Sequence, residues 1–474
     1  MSTILAYTSP AIGHLFPMVP ILLELKARGH EVHVRTMPQQ LQALGSAGLH
    51  AEPVDPRLLE IKHRDYLAKS IRGGLASSTE TFTDRARFDA PDLRRAIGAL
   101  NPDLLLVDIN AWGARIVAED SGLPWATFSP YTPPLRSNGT PPFGPGLNPM
   151  PGPLGRLRDV LIRPLVTGAV EKLMMPGINR ARAEISGGKL PPARNVDHFF
   201  RTAPLMLVTT SEPFEYPHPD WAPDVRMIGA LGWEPPSETP AWLRDDQDPL
   251  VLVTTSSEYQ ADEALVRAAL AGLAAEPFTV VATLPAADAG SAGAGRAPRS
   301  DGFGPIPANA RLERFVPHGQ VLERAAVAIT HGGMGATQKA LSKGVPVVVV
   351  PFGRDQHEVA ARVVAADAGV RLSRKRLTPD RLRAAVHQAM AKTAGARKVA
   401  AGYAAAGGAA AGARMPWRSL LGYTHDREFL PGYAGLGIQP CTAEDESGAG
   451  VRGLEMTVPE ACISREFDDE PAPA

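Results

Sequence analysis

FVPHGQVLERAAVAITHGGMGATQKALSKGVPVVVVPFGRDQHE, residues 315–358, has the grammar of a buried strand, a glycine-rich turn, a helix start and a second buried strand. Ala326–Thr330 is a short apolar run bounded by turn signals, which predicts a buried strand. His331-Gly332-Gly333-Met334-Gly335 follows at once, and Ala336–Lys343 has helical composition. Glycines let a backbone approach a ligand closely, and the free amides of a helix's first turn favour an anion. Val345–Val350 reads as the next buried strand, with Gly353-Arg354-Asp355-Gln356 just past its C-terminal end. In open α/β sheets, ligands bind beyond the C-terminal ends of strands. The segment therefore predicts a diphosphate cradle with a carboxylate and an amide nearby.

Outward from this stretch, the same alternation recurs. Thr3–Tyr7 reads as a strand, His14–Arg28 as a helix, and Glu31–Thr36 as a strand. Pro17 and Pro20 suit a first turn better than an interior, so the helix is expected to begin late. This βαβ unit lacks the Gly-x-Gly-x-x-Gly of dinucleotide sites. Leu104–Asp108, a helix from Trp112 to Ser121, and Pro124–Phe128 form another unit. Met174–Ala183 reads as helix and Leu205–Thr210 as strand. Residues 130–155 are dense in Pro and Gly and predict an irregular loop. Such a loop is either a plain surface connection or a rim that shapes substrate choice. Residues 232–248 are polar and Pro-rich, a candidate linker. Leu250–Thr254 and Phe278–Thr283 then restart the strand–helix alternation, which argues for a second parallel sheet. Ala286–Ser300 reads as an Ala/Gly-rich loop. The expected organisation is 1–231, a linker at 232–248, 249–412, and an atypical tail at 413–474.

With 474 residues, two or three domains are expected. A net charge of −1 and no Lys/Arg cluster give no footprint for nucleic acid. The longest apolar run, Val345–Val350, is too short to span a bilayer. The N-terminus has no basic region followed by a cleavable apolar core, so a cytoplasmic protein is expected. Cys441 and Cys462 both lie in the tail, which excludes a Cys-based zinc site, an iron–sulfur cluster or a thiol nucleophile in the main body. Asp246-x-Asp248 precedes a strand and, like the acidic tail, reads as solvated surface, so no metal or other cofactor is expected. Oligomeric state is not legible.

The stretch at 315–358 resembles the donor-binding signature of family 1 glycosyltransferases. The match runs through Phe315, Pro317, Val321-Leu322, Thr330-His331-x-Gly333, Thr337, Gly344-Val345-Pro346, Pro351 and Asp355-Gln356. The flavour is similar to bacterial enzymes that glycosylate antibiotics, macrolides and enediynes, and it covers roughly residues 1–413. It implies the GT-B fold, an α/β architecture of two Rossmann-like, doubly wound parallel-sheet domains facing each other. The first would bind the acceptor and the second a UDP- or dTDP-sugar. The resemblance departs at Ala336, where relatives often have Ser, and at Lys339, where relatives have an acid that can hold ribose hydroxyls.

Transfer of a sugar to a hydroxyl needs a base, a group that orients it, a stabiliser of the departing diphosphate and a grip on the sugar. On residue chemistry alone His14 is open between a core histidine and a base. Gly13-His14-x-x-Pro17 resembles the family's catalytic turn and implies the base. Asp108 ends an apolar run at a strand's C-terminal end; it is either a helix N-cap or the carboxylate that fixes the imidazole tautomer. His331, Gly332, Gly333, Gly335 and Thr337 are expected to hold the diphosphate, where donors act mainly on the charge of the transition state. Asp355 and Gln356 are expected to bind sugar hydroxyls, Val316 and His318 to bracket the nucleobase, and Ser256 or Ser257 to meet phosphate or sugar. The resemblance implies inversion and a hydrophobic natural-product acceptor. Two other readings stay open: a nucleotide-sugar 2-epimerase on the same fold, and an auxiliary homologue without activity.

The tail supports the last of these. In the family a closing helix similar to Gly-Ala-Asp-Ala-Val-Glu is expected near residue 412. Ala413-Arg414-Met415-Pro416-Trp417-Arg418 back-translates in GC-rich codons as GCG CGG ATG CCG TGG AGG. Read from the third base, this encodes Ala-Asp-Ala-Val-Glu. A frameshift near codon 413 is one expectation, and a disordered extension the other.

Overall fold

The computed structural model describes residues 1–245, 248–283 and 300–414. The pattern at Asp246-x-Asp248, the loop expected at 286–300, both cysteines and the tail from 415, with its frameshift, fall largely or wholly outside these residues.

Thirteen strands build two parallel sheets among the described residues. The first sheet holds β1 (Thr3–Tyr7), β2 (Glu31–Thr36), β3 (His50–Pro53), β4 (Leu104–Asp108), β5 (Trp125–Ser129), β6 (Met206–Val208) and β7 (Val225–Met227). Its order is β3-β2-β1-β4-β5-β6-β7. The second holds β8 (Leu250–Thr254), β9 (Thr279–Thr283), β10 (Ala310–Glu313), β11 (Ala325–Thr330), β12 (Val347–Val349) and β13 (Gly369–Arg371), in the order β10-β9-β8-β11-β12-β13. Both are doubly wound orders, and each reverses direction beside its first strand: between β1 and β4, and between β8 and β11.

The sequence explains the parallel pairing. β4, β5, β8 and β9 are buried at every residue, as strands covered by helices on both faces must be. Each buried Val or Leu stabilises the sheet by about 1.5–3 kcal/mol. The second sheet is packed on both faces, with Leu252, Val347 and Val349 on one side and Val253, Ile329 and Val348 on the other.

Several helices differ from expectation. The first helix starts at Ile12, ahead of both prolines, and carries Pro17 and Pro20 inside it. Tight packing of Leu15, Met18, Val19, Ile21, Leu22 and Leu25 in the first core offsets the two missing backbone bonds. The helix read at 174–183 is a fragment of Pro153–Ser186. Helix Ile71–Leu100 has no counterpart in the sequence reading; it buries Arg85, Asp89 and Asp92, which hide its periodicity. In the linker region, Ala241–Asp245 forms a short helix.

Thr393–Ala405 packs on the core of the second sheet, and the helix Gly408–Arg414 then returns to the helix Ile12–Ala27 beside the first sheet. Gly412 lies so close to Ile21 and Ile228 that a Cβ there would approach them to 3.2–3.4 Å. Ala413 joins the same core, and its carbonyl accepts from Arg28 Nη1 at 3.3 Å. A closing helix is expected near residue 412, and the helix Gly408–Arg414 lies there, inside the described residues.

Candidate active site

The loops after β1 and β4 bring the first group of residues together. Asp108, the last residue of β4, is fully buried. Its Oδ2 lies 2.7 Å from His14 Nδ1 in the first turn of helix Ile12–Ala27. Its Oδ1 accepts from Ser9 Oγ and from the Asn110 backbone N–H, both at 2.8 Å. Asp108 makes no side-chain cap for helix Trp112–Ser121, whose N-cap position is Ala111. A carboxylate that only accepts fixes the proton of His14 on Nδ1, which leaves Nε2 with the lone pair. Burial disfavours the imidazolium, but the charge and hydrogen bond of Asp108 outweigh it, and the pKa of His14 is raised.

The second sheet contributes from the turns after β8, β11 and β12. His331 directly follows β11 and is buried. Burial, then the charge of Arg354, pushes it down to about 4, so it is a neutral hydrogen-bonding group at neutral pH. Gly332 has φ +93°, and a Cβ there would sit 2.9 Å from Val349 Cγ1. Gly333 is the N-cap of helix Met334–Ser342 and lies under the His331 ring, where a side chain would collide. A Cβ at Gly335 would meet open space, so its backbone borders the cleft without forcing glycine.

Thr337 corrects the expectation of a phosphate donor. It is fully buried and its hydroxyl meets Thr330 Oγ1 at 3.2 Å. The helical period turns residue 337 toward the sheet while Gly335 and Ala336 face the cleft.

Asp355 stands at the N-cap of helix Gln356–Ala365 but makes no side-chain capping bond, so its carboxylate is not consumed there. Burial raises its pKa. Gln356 is fully buried and engaged: Oε1 accepts from the backbone of Phe352 at 2.7 Å and Gly353 at 3.0 Å, and Nε2 donates to Gln260 Oε1 at 2.6 Å. Ser256 Oγ accepts from Gln260 Nε2 at 2.7 Å, whereas Ser257 is exposed on the cleft wall. Val316 is buried, and His318 is pushed down to about 4 by burial and by Lys339. Lys339 Nζ donates to Glu234 Oε1 at 2.6 Å, so a carboxylate from the linker region stands beside this lysine.

Some residues escaped the sequence reading. Arg354, at φ +52°, bridges the two sheets: it donates to both oxygens of Asp65 at 2.9 and 3.0 Å and to Glu258 Oε2 at 2.8 Å. Burial alone would raise Glu258, but Arg354 and His63 outweigh it and hold it at about 2. Glu358 Oε1 accepts from the backbones of Gly144 at 2.8 Å and Gly146 at 2.7 Å, tying the Pro-rich loop to helix Gln356–Ala365. Asn110 and Tyr131 stand beside His14. Asn110 could have been noticed as a polar residue just past a strand end; the Asp65 contact leaves no local signal, because its partner is 289 residues away.

Residues 284–410 match the family model for the erythromycin biosynthesis protein CIII-like C-terminal domain. The 4'-demethylrebeccamycin synthase of Lentzea aerocolonigenes is 34% identical over 403 residues, covering 82% of this chain and 91% of that protein. This chain belongs to the antibiotic-type glycosyltransferases. The 3-alpha-mycarosylerythronolide B desosaminyl transferase of Saccharopolyspora erythraea is 24% identical, over 80% of this chain and 88% of that protein. The solved glycosyltransferase of kitacinnamycin superposes with TM-score 0.66 at 25% identity, covering 88% of this chain and 99% of that one. CalG4, the calicheamicin glycosyltransferase, superposes with TM-score 0.66 at 21% identity over 90% and 100%, a likeness of fold. The fold is GT-B, as the two sheets indicate.

In this glycosyltransferase His14, Asn110, His331, Gly333, Asp355 and Gln356 line one cavity of about 1600 Å³, whereas Asp108, Gly332, Thr337 and Glu358 are not part of its lining. A single small-ligand site typically occupies about 300–1,000 Å³. The cavity has room for two reactants. Its first-sheet wall is apolar and aromatic, including Phe82, Trp112, Tyr131, Leu135, Phe143 and Met174. Tyr131, Leu135 and Phe143 come from the irregular segment at 130–152. Among the described residues, no helix is long and apolar enough to cross a membrane.

Proposed function

We propose that this glycosyltransferase moves a sugar, with inversion, from a UDP- or dTDP-sugar to a hydroxyl of a small apolar natural product. The observation that carries the reading is the 2.7 Å contact between His14 Nδ1 and the fully buried Asp108, at the edge of a cavity large enough for two ligands. His14 Nε2 takes the proton of the acceptor hydroxyl, and Asp108 stabilises the imidazolium that forms. The acceptor oxygen bonds to the anomeric carbon as the bond from that carbon to the diphosphate oxygen breaks. The electron pair leaves with the diphosphate.

The leaving group's growing charge meets the neutral His331 ring and the first-turn amides after Gly333. Asp355 accepts from sugar hydroxyls, with Gln356 holding its loop in shape. Ser257, exposed on the cleft wall, meets phosphate or sugar in this reading, and Val316 and His318 border the nucleobase. No metal is required in this scheme. The apolar first-sheet wall favours a hydrophobic acceptor, in keeping with the antibiotic relatives.

A thermal-shift titration with UDP, dTDP and NAD tests the donor half. A ligand that binds only the folded state raises the melting temperature. Stabilisation by UDP or dTDP but not by NAD is expected; stabilisation by NAD alone would overturn the reading.

A further inference from the structure

We infer that Asn110 is a positioning residue that holds the Nε2 lone pair of His14 in the resting enzyme and turns over when that nitrogen becomes protonated. The inference rests on His14 acting as the base. Asn110 Nδ2 lies 3.3 Å from His14 Nε2, and Asn110 Oδ1 accepts from Tyr131 Oη at 2.7 Å. All three side chains line the cavity.

Hydrogen-bond logic fixes the orientation of the amide. Both oxygens of Asp108 accept, so Nδ1 of His14 carries the proton and Nε2 needs a donor. The NH₂ end of Asn110 supplies one, whereas its carbonyl end could not. At 3.3 Å this bond is at the long, weak end of the range, so an incoming hydroxyl can take its place. The displaced NH₂ then lies beside the acceptor oxygen and can donate to it as negative charge develops there.

Once Nε2 is protonated the requirement inverts, since N–H now needs an acceptor. Asn110 meets it by rotating its amide, so that Oδ1 faces His14 and NH₂ faces Tyr131. Tyr131 can follow because a neutral phenol both donates and accepts. Burial, then the charges of Asp108 and Asp355, pushes its pKa far up and keeps it neutral. The charged groups that face His14 are Asp108, Glu258 and Asp355, from β4 and the turns after β8 and β12.

The test is nitrogen NMR of His14 in the full chain across pH, in the wild type, Asn110→Ala, Asn110→Asp and Tyr131→Phe. The wild type is expected to show the Nδ1–H tautomer with a hydrogen-bonded Nε2. Asn110→Ala should keep the tautomer and shift only the Nε2 resonance toward that of a free lone pair. Asn110→Asp places a carboxylate at Nε2 and should tighten proton binding by about tenfold or more. Tyr131→Phe should shift Nε2 less than Asn110→Ala does. An Nε2–H tautomer in the wild type, or an Nε2 resonance unmoved in Asn110→Ala, would overturn the inference. If His14 is not the base, Asn110→Ala still moves the resonance while His14→Ala keeps turnover, so the two failures are distinguishable.

Discussion

The two sheets share a strand order and a switch point, yet they offer a ligand different things. In the second, the turn after β11 presents backbone: Gly332 and Gly333 clear space, and a helix begins at Met334. In the first, the turns after β1 and β4 present side chains: His14, Asp108 and Asn110, linked at 2.7–3.3 Å. In the function proposed above, the same topology serves as an anion cradle in one half and as a proton-transfer site in the other. The loops decide which, and the sheet decides only where they meet.

That contrast can be broken by mutation. The largest effect is expected for Asp108→Ala. His14 loses its orienter, and turnover should fall by about 10²–10⁴-fold, as for loss of general-base catalysis. Steady-state kinetics beside a nucleotide-binding assay would measure it, and normal turnover would remove the first sheet from the chemistry.

Gly332→Ala probes the second half. The new Cβ would lie 2.9 Å from Val349 Cγ1 and 3.0 Å from Gln356 Cβ, on a backbone at φ +93°. A loss of about 1–3 kcal/mol in folding stability is expected from strain of this kind. Weaker nucleotide binding should accompany it. Denaturant midpoints and nucleotide titrations report the two separately; an unchanged midpoint would show the turn to be slack.

The smallest effect is a shift along the pH axis. His14 has a raised pKa, so the neutral base is lost at a higher pH than an ordinary imidazole's, and the acidic limb of the rate should lie above 6.5. The stability gained by the imidazolium beside Asp108 is fully present below the unfolded pKa and is lost as pH rises through the folded one. Without Asp108, burial weighs more and the limb should move down. A limb below 6.5 in the wild type would contradict the pairing.

The contrast also explains what was legible in the sequence. The proposed donor side lies within one run, from Phe315 to Glu358, and glycines mark the places where a backbone must come close. β1, β4 and β8 were readable to the residue because strands buried on both faces are short continuous apolar runs, and β2 because Val32 and Val34 alternate with polar residues. The proposed acceptor side was only partly legible: Ser9, His14, Asp108, Asn110 and Tyr131 meet through the strand order and are scattered along the chain. Helix Ile71–Leu100 stayed hidden because its inward face carries Arg85, Asp89 and Asp92. Thr337 was misplaced because a motif gives spacing, whereas the helical period decides which way a hydroxyl points.

The most direct test of this division is to measure nucleotide affinity and turnover together in His14→Ala and His331→Ala. The account predicts that His14→Ala abolishes most turnover with UDP or dTDP affinity unchanged, and that His331→Ala weakens that affinity. Full turnover in His14→Ala, or an equal loss of nucleotide affinity in both variants, would contradict it.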